Sequence, residues 1–412
     1  MKRNLVMIHL ESLNNVIYRM NSDCFPNLTR IEKQSVSFSK YFSTATSTLM
    51  VLGDIYYGGM EQYEQCDSLD YIPKEYPYHS SMLDDLKAEG YKVGAYIYPE
   101  GSDRDSAEKR HIAGFQNEML LKRHYEDFLD AIEIIVSEEP FAVSICNYIS
   151  NMGLNIYRDL ECEYTGFENW KRGYQELDKC VGHIFEILER KGVLDTTTVL
   201  LYGDHGDDYW GHGLHKGLAH AIEPYAALIH TPMFIYDNRI SPGVSDNVIS
   251  AIDLRDMLMK LLISNDTASV WQNRREYAIA RTSYAAQPIR YDSFKKGYSI
   301  TDGELLLLVS PDGLELYNIE MDPMCTYNFL QHFLYDGNII RYDVTKKEQC
   351  KFHYGIFMND SQISYLRQKF YYLHKRLRSE VEKLYLCAGS SVEKMDEEMR
   401  FDKIMGENEI CT

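Results

Sequence analysis

An aspartate and a histidine stand side by side in Asp204-His205-Gly206, one glycine after an apolar run that ends at Tyr202. A carboxylate oxygen and an imidazole nitrogen that face one point form a mixed ligand set that suits Zn²⁺ or Mn²⁺. An isolated Asp-His-Gly tripeptide also occurs as a helix cap followed by a surface histidine. Other parts of the chain must therefore decide between a metal site and a cap.

A second carboxylate, Glu11, follows the apolar run Asn4–Leu10. A carboxylate at the end of a buried strand needs a partner, and a metal ion supplies one. An exposed loop glutamate or a helix cap is the plainer interpretation. If both strands belong to one parallel sheet, Glu11 lies at the same sheet edge as Asp204 and His205.

Hydroxyl side chains fill the segment 43–48, which leads into an apolar, helix-like run that ends at Gly58-Gly59. A hydroxyl at a helix N-terminus lies at the positive end of the helix dipole. A metal ion on its oxygen would make it a nucleophile. The alternative is a Ser/Thr-rich loop that caps a helix, which is common.

Histidines and a lysine cluster between glycines shortly after the Asp-His pair, at His212, His215, Lys216 and His220. Lysine offers a compact cation for the oxygens of an anion. A polar loop with coincidental histidines is the alternative. Four side chains able to carry positive charge in an acidic protein favour a site for an anionic substrate.

The charge of the whole chain excludes some partners. Its 412 residues include 43 basic and 62 acidic side chains, a formal net charge of −19. Proteins that hold nucleic acid through phosphate contacts usually present a basic surface, and anionic membranes repel acidic proteins.

No stretch approaches the roughly 20 apolar residues of a membrane span. We expect no signal peptide, and nine scattered cysteines favour reduced thiols and a cytoplasmic location.

Apolar runs alternate with helical patterns over the first two-thirds of the chain. Predicted strands are Asn4–Leu10, Val36–Tyr41, Val93–Tyr98, Phe141–Tyr148, Thr196–Tyr202 and Met233–Tyr236, and predicted helices are Pro26–Lys33, Ser80–Glu89, Tyr125–Ser137, Tyr174–Arg190 and Leu254–Leu262. This alternation predicts an α/β fold, a mostly parallel central sheet flanked by helices. Ligands of such sheets bind beyond the carboxyl ends of the strands.

The pattern changes after about residue 263. Short strands separated by Asp302-Gly303 and Pro311-Asp312-Gly313 predict a small antiparallel subdomain, followed by a helix over 361–386. The helix carries an apolar stripe that either docks on its own domain or forms a homodimer seam. From about Ser390 we expect a frayed tail. The predicted domains are 1–262, 263–335 and 336–412.

The order of these segments resembles the sulfatase-like branch of the alkaline phosphatase superfamily. The resemblance rests on NLVMIHLES at the first strand, the stretch from Phe25-Pro26-Asn27-Leu28 to Tyr41, STLMVLGDIYYGG, the stretch from Leu177 to Thr197, GDHGDDYWGHGLHKG, the helix 253–262 and the stretch from Leu316 to Pro323. It covers roughly residues 4–330. It implies an alkaline-phosphatase-like fold and one divalent metal ion, with Zn or Mn favoured over Mg or Ca.

The nucleophile position departs from that of typical sulfatases. Those enzymes oxidise a Cys or Ser in a C/S-x-P-S-R motif, whereas here Thr48 precedes Leu49-Met50-Val51-Leu52. A threonine, together with Glu11-Ser12, resembles lipoteichoic acid synthases and phosphoethanolamine transferases. The resemblance then implies a metal held by Glu11, Thr48, Asp204 and His205.

Other residues of the implied site come from two segments. Lys216, His212 and His215 would serve as catalytic groups, and Asn151 and His220 would bind substrate. Relatives often carry a substrate-contacting histidine after the middle strand, and here either Asn151 takes its place or a histidine from His212–His220 does.

These features predict a phosphotransferase or phosphodiesterase that acts on a phosphoglycerol- or phosphoethanolamine-type ester. Its expected partner is a small anionic ester or a polar glycan or lipid head group. One alternative is a sulfate ester hydrolase that uses an unmodified nucleophile. A second alternative is a non-catalytic protein that keeps the fold and the metal.

Overall fold

The computed structural model describes residues 2–60, 80–98, 119–121, 124–151, 166–209, 212, 218–219, 223–282, 296–337, 339–346 and 358–405. The strands are β1 (Asn4–Leu10), β2 (Val36–Phe42), β3 (Lys92–Tyr98), β4 (Met119–Leu121), β5 (Phe141–Asn147), β6 (Thr197–Gly203), β7 (Asp208–Tyr209), β8 (Leu218–Ala219), β9 (Met233–Tyr236), β10 (Gly243–Ser250), β11 (Ala278–Arg281), β12 (Tyr298–Thr301), β13 (Leu305–Ser310), β14 (Gly313–Asn318), β15 (Phe333–Tyr335) and β16 (Ile340–Tyr342). The helices are α1 (Asn15–Met20), α2 (Pro26–Glu32), α3 (Thr48–Tyr57), α4 (Met82–Ala88), α5 (Tyr125–Ile135), α6 (Gly166–Arg190), α7 (Ala226–Ile229), α8 (Asp253–Ile263), α9 (Ser269–Gln272), α10 (Asp360–Cys387) and α11 (Val392–Glu398).

The described strands of the main sheet lie in the order β10-β2-β9-β6-β1-β5-β3-β4. Neighbours are parallel except at β9, which runs antiparallel to both β2 and β6. The expected α/β fold with a mostly parallel sheet is thus confirmed. β10 was not predicted, because polar residues in Ser245-Asp246-Asn247 and a register shift there break its apolar pattern.

Helices cover both faces of this sheet, so its central strands are buried on both sides. Every residue of β1 is buried. α3, α4 and α8 contribute to one apolar core, and α2, α5 and α6 to the other. The Asp178 carboxylate of α6 also accepts hydrogen bonds from the backbone N–H groups of Asn27 and Leu28, at 3.1 and 2.8 Å. This carboxylate therefore satisfies the N-terminus of α2 and ties the two helices together.

A second, antiparallel sheet follows, in the order β11-β12-β13-β14. This confirms the predicted antiparallel unit, whereas the predicted domain boundaries at 262 and 335 stay predictions. The apolar stripe of α10 is buried against this sheet through Leu366, Phe370, Leu373, Leu377, Val381 and Leu384. Because the stripe packs within its own chain, it gives no support to a homodimer through this helix.

The predicted frayed tail is wrong over residues 391–405. Ser391 caps α11, and the side chains of Met395, Phe401 and Ile404 are buried in the core of the second sheet. The backbone N–H of Leu314 donates to the carbonyl oxygen of Lys403 over 2.8 Å. The segment is mostly polar, so these few apolar residues give no clear pattern in the sequence. The residues that they contact lie far away along the chain.

None of the helices in the described ranges is long and apolar enough to cross a membrane. A cytoplasmic location stays a prediction.

Candidate active site

Three neighbouring strands of the main sheet end at the same edge. β1 lies between β5 and β6, and Leu10 is in register with both Asn147 and Gly203. The residues that follow each strand therefore meet. Glu11 follows β1, Asp204 and His205 follow β6, and Ser150 and Asn151 follow β5.

Two carboxylates and an imidazole form the floor of this site. His9 Nε2 lies 3.1 Å from Glu11 Oε2 and 3.0 Å from Asp204 Oδ2. All three side chains are completely buried. Their ligand atoms lie within 4.8 Å of one another, which makes them a candidate metal centre. Carboxylate oxygens and imidazole nitrogens at such spacing fit Zn²⁺ or Mn²⁺.

The turn after β1 is held in a left-handed backbone conformation at Ser12, with φ of 56°. Non-glycine residues rarely adopt this conformation unless their surroundings enforce it. Here the Ser12 N–H donates to Asp204 Oδ1 over 3.1 Å, and Tyr174 Oη donates to the Ser12 carbonyl oxygen over 2.6 Å. The Ser12 turn thus orients the Asp204 carboxylate from the neighbouring strand end.

Thr48 is the first residue of α3, and its side chain faces the carboxylate floor. Its Oγ1 lies 3.5 and 3.4 Å from the two carboxylate oxygens of Glu11, and 3.4 Å from His205 Nε2. Glu11, Thr48, Asp204 and His205 are therefore brought together, as the resemblance implies. Whether they bind a metal stays a prediction.

His205 is oriented by the glycine that follows it. His205 Nδ1 donates to the Gly206 carbonyl oxygen over 2.9 Å, which leaves Nε2 to face Thr48 and Asp204. A Cβ at Gly206 would collide with the Ala227 carbonyl oxygen and lie 2.5 Å from Asn14 Cβ. The close passage of these backbones explains the glycine in Asp-His-Gly.

The charges in the site stabilise one another. Burial by itself raises the pKa of Asp204, but His205 and His9 outweigh it and hold that pKa well below its usual range. Burial by itself lowers the pKa of each histidine, but Asp204 raises the pKa of His205 and raises that of His9 strongly. The site therefore favours an ionised Asp204 opposite positive charge, which either imidazolium groups or a cation can supply.

The predicted substrate residue Asn151 contacts a carboxylate of the site directly. Its Nδ2 donates to Glu11 Oε1 over 2.6 Å, and Ser150 Oγ donates to the Glu11 carbonyl oxygen over 2.7 Å. The end of β5 thus holds Glu11 in place. A contact of Asn151 with substrate stays a prediction.

The histidine and lysine cluster is only partly described. His212 stacks on Tyr225 with ring centroids 3.6 Å apart, and its two ring nitrogens meet the Asp208 carboxylate and the Cys325 carbonyl oxygen, the latter at 2.8 Å. Because both partners are hydrogen-bond acceptors, they suit the imidazolium form of His212, in which both ring nitrogens carry a proton. Burial opposes this charge, but Asp208 raises the pKa of His212. A catalytic role for His212 stays a prediction.

The other predicted residues of this cluster, His215, Lys216 and His220, lie outside the described residues.

Two residues near the site were missed by reasoning from sequence. His9 looked like part of an apolar strand, although residues 9 and 11 of a strand share one face, which could have revealed the pair. Tyr148 is buried with its ring edge-on to His9 at 5.5 Å. Burial first, and then the Glu11 carboxylate, raise the pKa of Tyr148, while the nearby Thr48 side chain lowers it. The phenol therefore stays protonated beside Thr48.

Comparison with known proteins identifies the family. The Sulfatase family model matches residues 3–264. A choline-sulfatase of Rhizobium meliloti (strain 1021) is 28% identical over 194 residues, which are 40% of this chain and 37% of that protein. The chain thus aligns with little more than a third of that relative's length.

Solved structures share the fold at low identity. A 2-O GAG sulfatase superposes with a TM-score of 0.63 at 14% identity, over 90% of this chain and 94% of that one. An alkaline phosphatase superfamily protein from Vibrio parahaemolyticus gives a TM-score of 0.58 at 17% identity, over 78% and 81% of the two chains. The alkaline-phosphatase-like architecture expected from sequence is confirmed.

The predicted phosphotransferase or phosphodiesterase activity is contradicted by these comparisons, which point to sulfate ester hydrolysis. The prediction relied on the threonine at the nucleophile position together with Glu11-Ser12. Sulfuryl and phosphoryl groups are both tetrahedral and anionic, so a threonine in this position does not by itself distinguish them.

The family match spans more than half of the chain. Within that part, three strand ends converge on a buried cluster of carboxylates and histidine, and Thr48 faces the cluster from the N-terminus of a helix. The chain belongs to the sulfatase family.

Proposed function

We propose that this protein hydrolyses sulfate esters, with Thr48 as an unmodified nucleophile. The observation that carries this proposal is the position of Thr48 Oγ1, which lies within 3.5 Å of Glu11 and His205 in a chain of the sulfatase family. Glu11-Ser12 and Thr48 resemble lipoteichoic acid synthases and phosphoethanolamine transferases in site pattern. That resemblance supports threonine, in place of an oxidised cysteine or serine, as the attacking group.

Glu11, Asp204, His205 and Thr48 would hold the metal ion on which this family depends, as the resemblance implies, and His9 is a further candidate ligand beside Glu11 and Asp204. When bound, a Zn²⁺ or Mn²⁺ ion supplies a Lewis acid for an ester oxygen and for the nucleophile. His9 Nε2 lies 3.1 and 3.0 Å from the carboxylates of Glu11 and Asp204, and Asn151 fixes the orientation of Glu11.

The N-terminus of α3 adds to the affinity for an anion. Thr48 is its first residue and Ser47 precedes it in an extended conformation. The N–H groups of a first helical turn have no partner within their own helix, and the helix dipole places positive charge there. This end of α3 therefore favours the negative sulfuryl group beside the nucleophile.

The reaction divides into two displacements. Thr48 Oγ1 forms a bond to sulfur, the sulfur–oxygen bond to the alcohol breaks, and the alcohol leaves with a proton. Water then cleaves the sulfated threonine, which releases sulfate and a proton and restores the hydroxyl. Lys216, His212 and His215 remain the proposed donors of the leaving-group proton, and His220 a proposed substrate contact.

Net charge favours one class of sulfate ester over another. A chain with a formal charge of −19 repels a polyanionic glycan more strongly than an ester whose alcohol carries a positive charge. A choline-type sulfate ester is electrically neutral overall, and a choline-sulfatase is among the relatives. We therefore propose small, polar sulfate esters as substrates, with cationic alcohols preferred.

A substrate panel tests the proposal. The purified protein, loaded with Zn²⁺ or Mn²⁺, is offered an aryl sulfate, choline sulfate, a sulfated disaccharide, a phosphate monoester and a phosphodiester. We expect sulfate release that Thr48→Ala abolishes and Thr48→Ser retains in part, because serine keeps the hydroxyl. Sulfate release that survives in Thr48→Ala, or turnover of phosphate esters alone, would overturn it.

A further inference from the structure

A buried ion pair joins the nucleophile helix to the second sheet. Arg281, the last residue of β11, donates from both terminal nitrogens to the two carboxylate oxygens of Asp54 on α3, at 2.9 and 3.0 Å. The side chains are 1% and 0% exposed. A two-bond contact between two planar groups fixes their relative orientation as well as their distance.

The backbone of Arg281 contacts the other side of the nucleophile. Its N–H donates to the Thr44 carbonyl oxygen over 3.0 Å, and Arg281 forms an isolated parallel bridge with Ala45. Ala45 precedes Thr48 by three residues, and Asp54 follows it by six. A single arginine therefore contacts the chain on both sides of Thr48, the residue that faces the candidate metal centre.

Stability alone does not account for this pair. Removing two charges from water costs free energy that their attraction only partly returns, so apolar residues of similar volume often stabilise a fold equally well. An apolar contact, however, would allow α3 to rotate about its axis or slide. Thr48 Oγ1 has to stay near Glu11 and His205, so a directional contact restricts the motion that matters most.

We propose that Arg281 is a positioning residue for Thr48, acting through Asp54 and the backbone of Thr44 and Ala45. The family match ends at residue 264, so Arg281 and its sheet lie beyond the part of the chain that the family model covers. The second sheet is then part of the catalytic unit. This inference rests on the proposed sulfatase function for its kinetic readout and has a second readout that does not.

Arg275 serves as the control for this arginine, although its side chain is 35% exposed whereas that of Arg281 is 1% exposed. Arg275 also forms an isolated bridge, with Val248, and its N–H donates to the Val248 carbonyl oxygen over 2.9 Å. Its Nε lies 2.7 Å from the carboxylate of Asp253, the first residue of α8. Like Arg281, Arg275 forms a backbone bridge and also pairs with a carboxylate on a helix. The helix that it contacts, α8, carries none of the residues of the proposed site.

The experiment compares Arg281→Lys with Arg275→Lys in the full-length protein. Lysine keeps the positive charge and the backbone bridge but cannot form the two parallel hydrogen bonds of arginine to a carboxylate. We expect Arg281→Lys to lower kcat on the best sulfate ester by about tenfold to a hundredfold with KM nearly unchanged, because the attacking oxygen is misplaced. Arg275→Lys should leave kcat within about twofold. Equal effects of the two variants on kcat would overturn the proposal.

Hydrogen exchange of the backbone amides in α3 provides the readout that is independent of sulfatase activity. We expect exchange across Thr48–Tyr57 to rise in Arg281→Lys and to stay at the wild-type rate in Arg275→Lys. Asp54→Asn, which keeps the shape and loses the charge, should resemble Arg281→Lys in both measurements. Unchanged exchange in Arg281→Lys would overturn the positioning role. A wild-type protein without sulfatase activity, but with this exchange pattern, would overturn the proposed function alone.

Discussion

Asn151 donates a hydrogen bond to Glu11, with 2.6 Å between Nδ2 of the amide and Oε1 of the carboxylate. An amide at the end of one strand thereby orients a candidate metal ligand at the end of its neighbour. Residues that hydrogen-bond to metal ligands usually influence metal affinity and activity by about 10- to 100-fold. Asn151 therefore acts on the site at least through Glu11.

Replacing Asn151 by alanine should weaken metal binding and turnover together, each by about 10- to 100-fold. Isothermal titration with Zn²⁺ or Mn²⁺ measures the affinity, and sulfate release measures turnover. Asn238→Ala, at an exposed position, is the control. Unchanged metal affinity in Asn151→Ala would show that the hydrogen bond to Glu11 has no influence on the metal.

Tyr148 and Tyr202 provide a matched pair for a single hydroxyl. Both are buried with their rings near His9, at 5.5 and 6.1 Å, but Thr48 influences the pKa of Tyr148 and is not among the groups that shift the pKa of Tyr202. We expect Tyr148→Phe to lower kcat by about tenfold, because Thr48 loses a polar neighbour. Tyr202→Phe should have little effect on kcat. Steady-state kinetics measures kcat, and melting temperatures show whether a variant has lost stability. Equal kcat values for the two variants would contradict the role of the Tyr148 hydroxyl.

Gly206→Ala should cost both stability and activity. The added Cβ meets the Ala227 carbonyl oxygen and Asn14 Cβ, so the turn must shift, and the Gly206 carbonyl oxygen that accepts from His205 shifts with it. Overpacking of this kind costs about 1–3 kcal/mol.

The control for this variant is Gly192→Ala. Gly192 has φ of 68° and no heavy atom within 4 Å of an added Cβ, so only the backbone cost of about 1 kcal/mol applies. Urea unfolding measures the free energy of both variants, and sulfate release measures their activity. A fully active Gly206→Ala would show that His205 does not depend on this turn.

His230 makes the fold sensitive to acid. Burial lowers its pKa from 6.5 to about 4, while Nε2 donates to the Ser39 carbonyl oxygen over 2.8 Å. Between these two values the unfolded chain binds a proton that the folded chain does not, so the folded state loses stability as the pH falls from 6.5 towards 4. The contribution of His230 is present in full above pH 6.5 and declines by up to about 1.4 kcal/mol per pH unit below it.

Urea unfolding at several pH values between 4 and 7 measures this dependence. His230→Gln keeps a donor for Ser39 but does not titrate, so its stability should decline less steeply over that range. A slope identical to that of the wild type would assign the acid sensitivity to other groups.

Several features of this protein follow from local patterns in the sequence. β1 and β9 have the predicted bounds, because continuous apolar runs of this length are buried strands in an α/β fold. Glu11, Asp204 and His205 could be placed at one sheet edge, because parallel strands bring their carboxyl ends together. The hydroxyl-rich segment 43–48 could be placed before a helix that ends at Gly58, and the family resemblance then singled out Thr48.

Other features depend on contacts between residues far apart in the chain. His9 joins the metal cluster because β1 lies between β5 and β6, and the left-handed turn at Ser12 is stabilised by Asp204 and Tyr174. The pairing of Arg281 with Asp54 spans 227 positions, so no local pattern predicts it. Local sequence thus determined which groups could do the chemistry, whereas only tertiary packing decided which buried partners orient them.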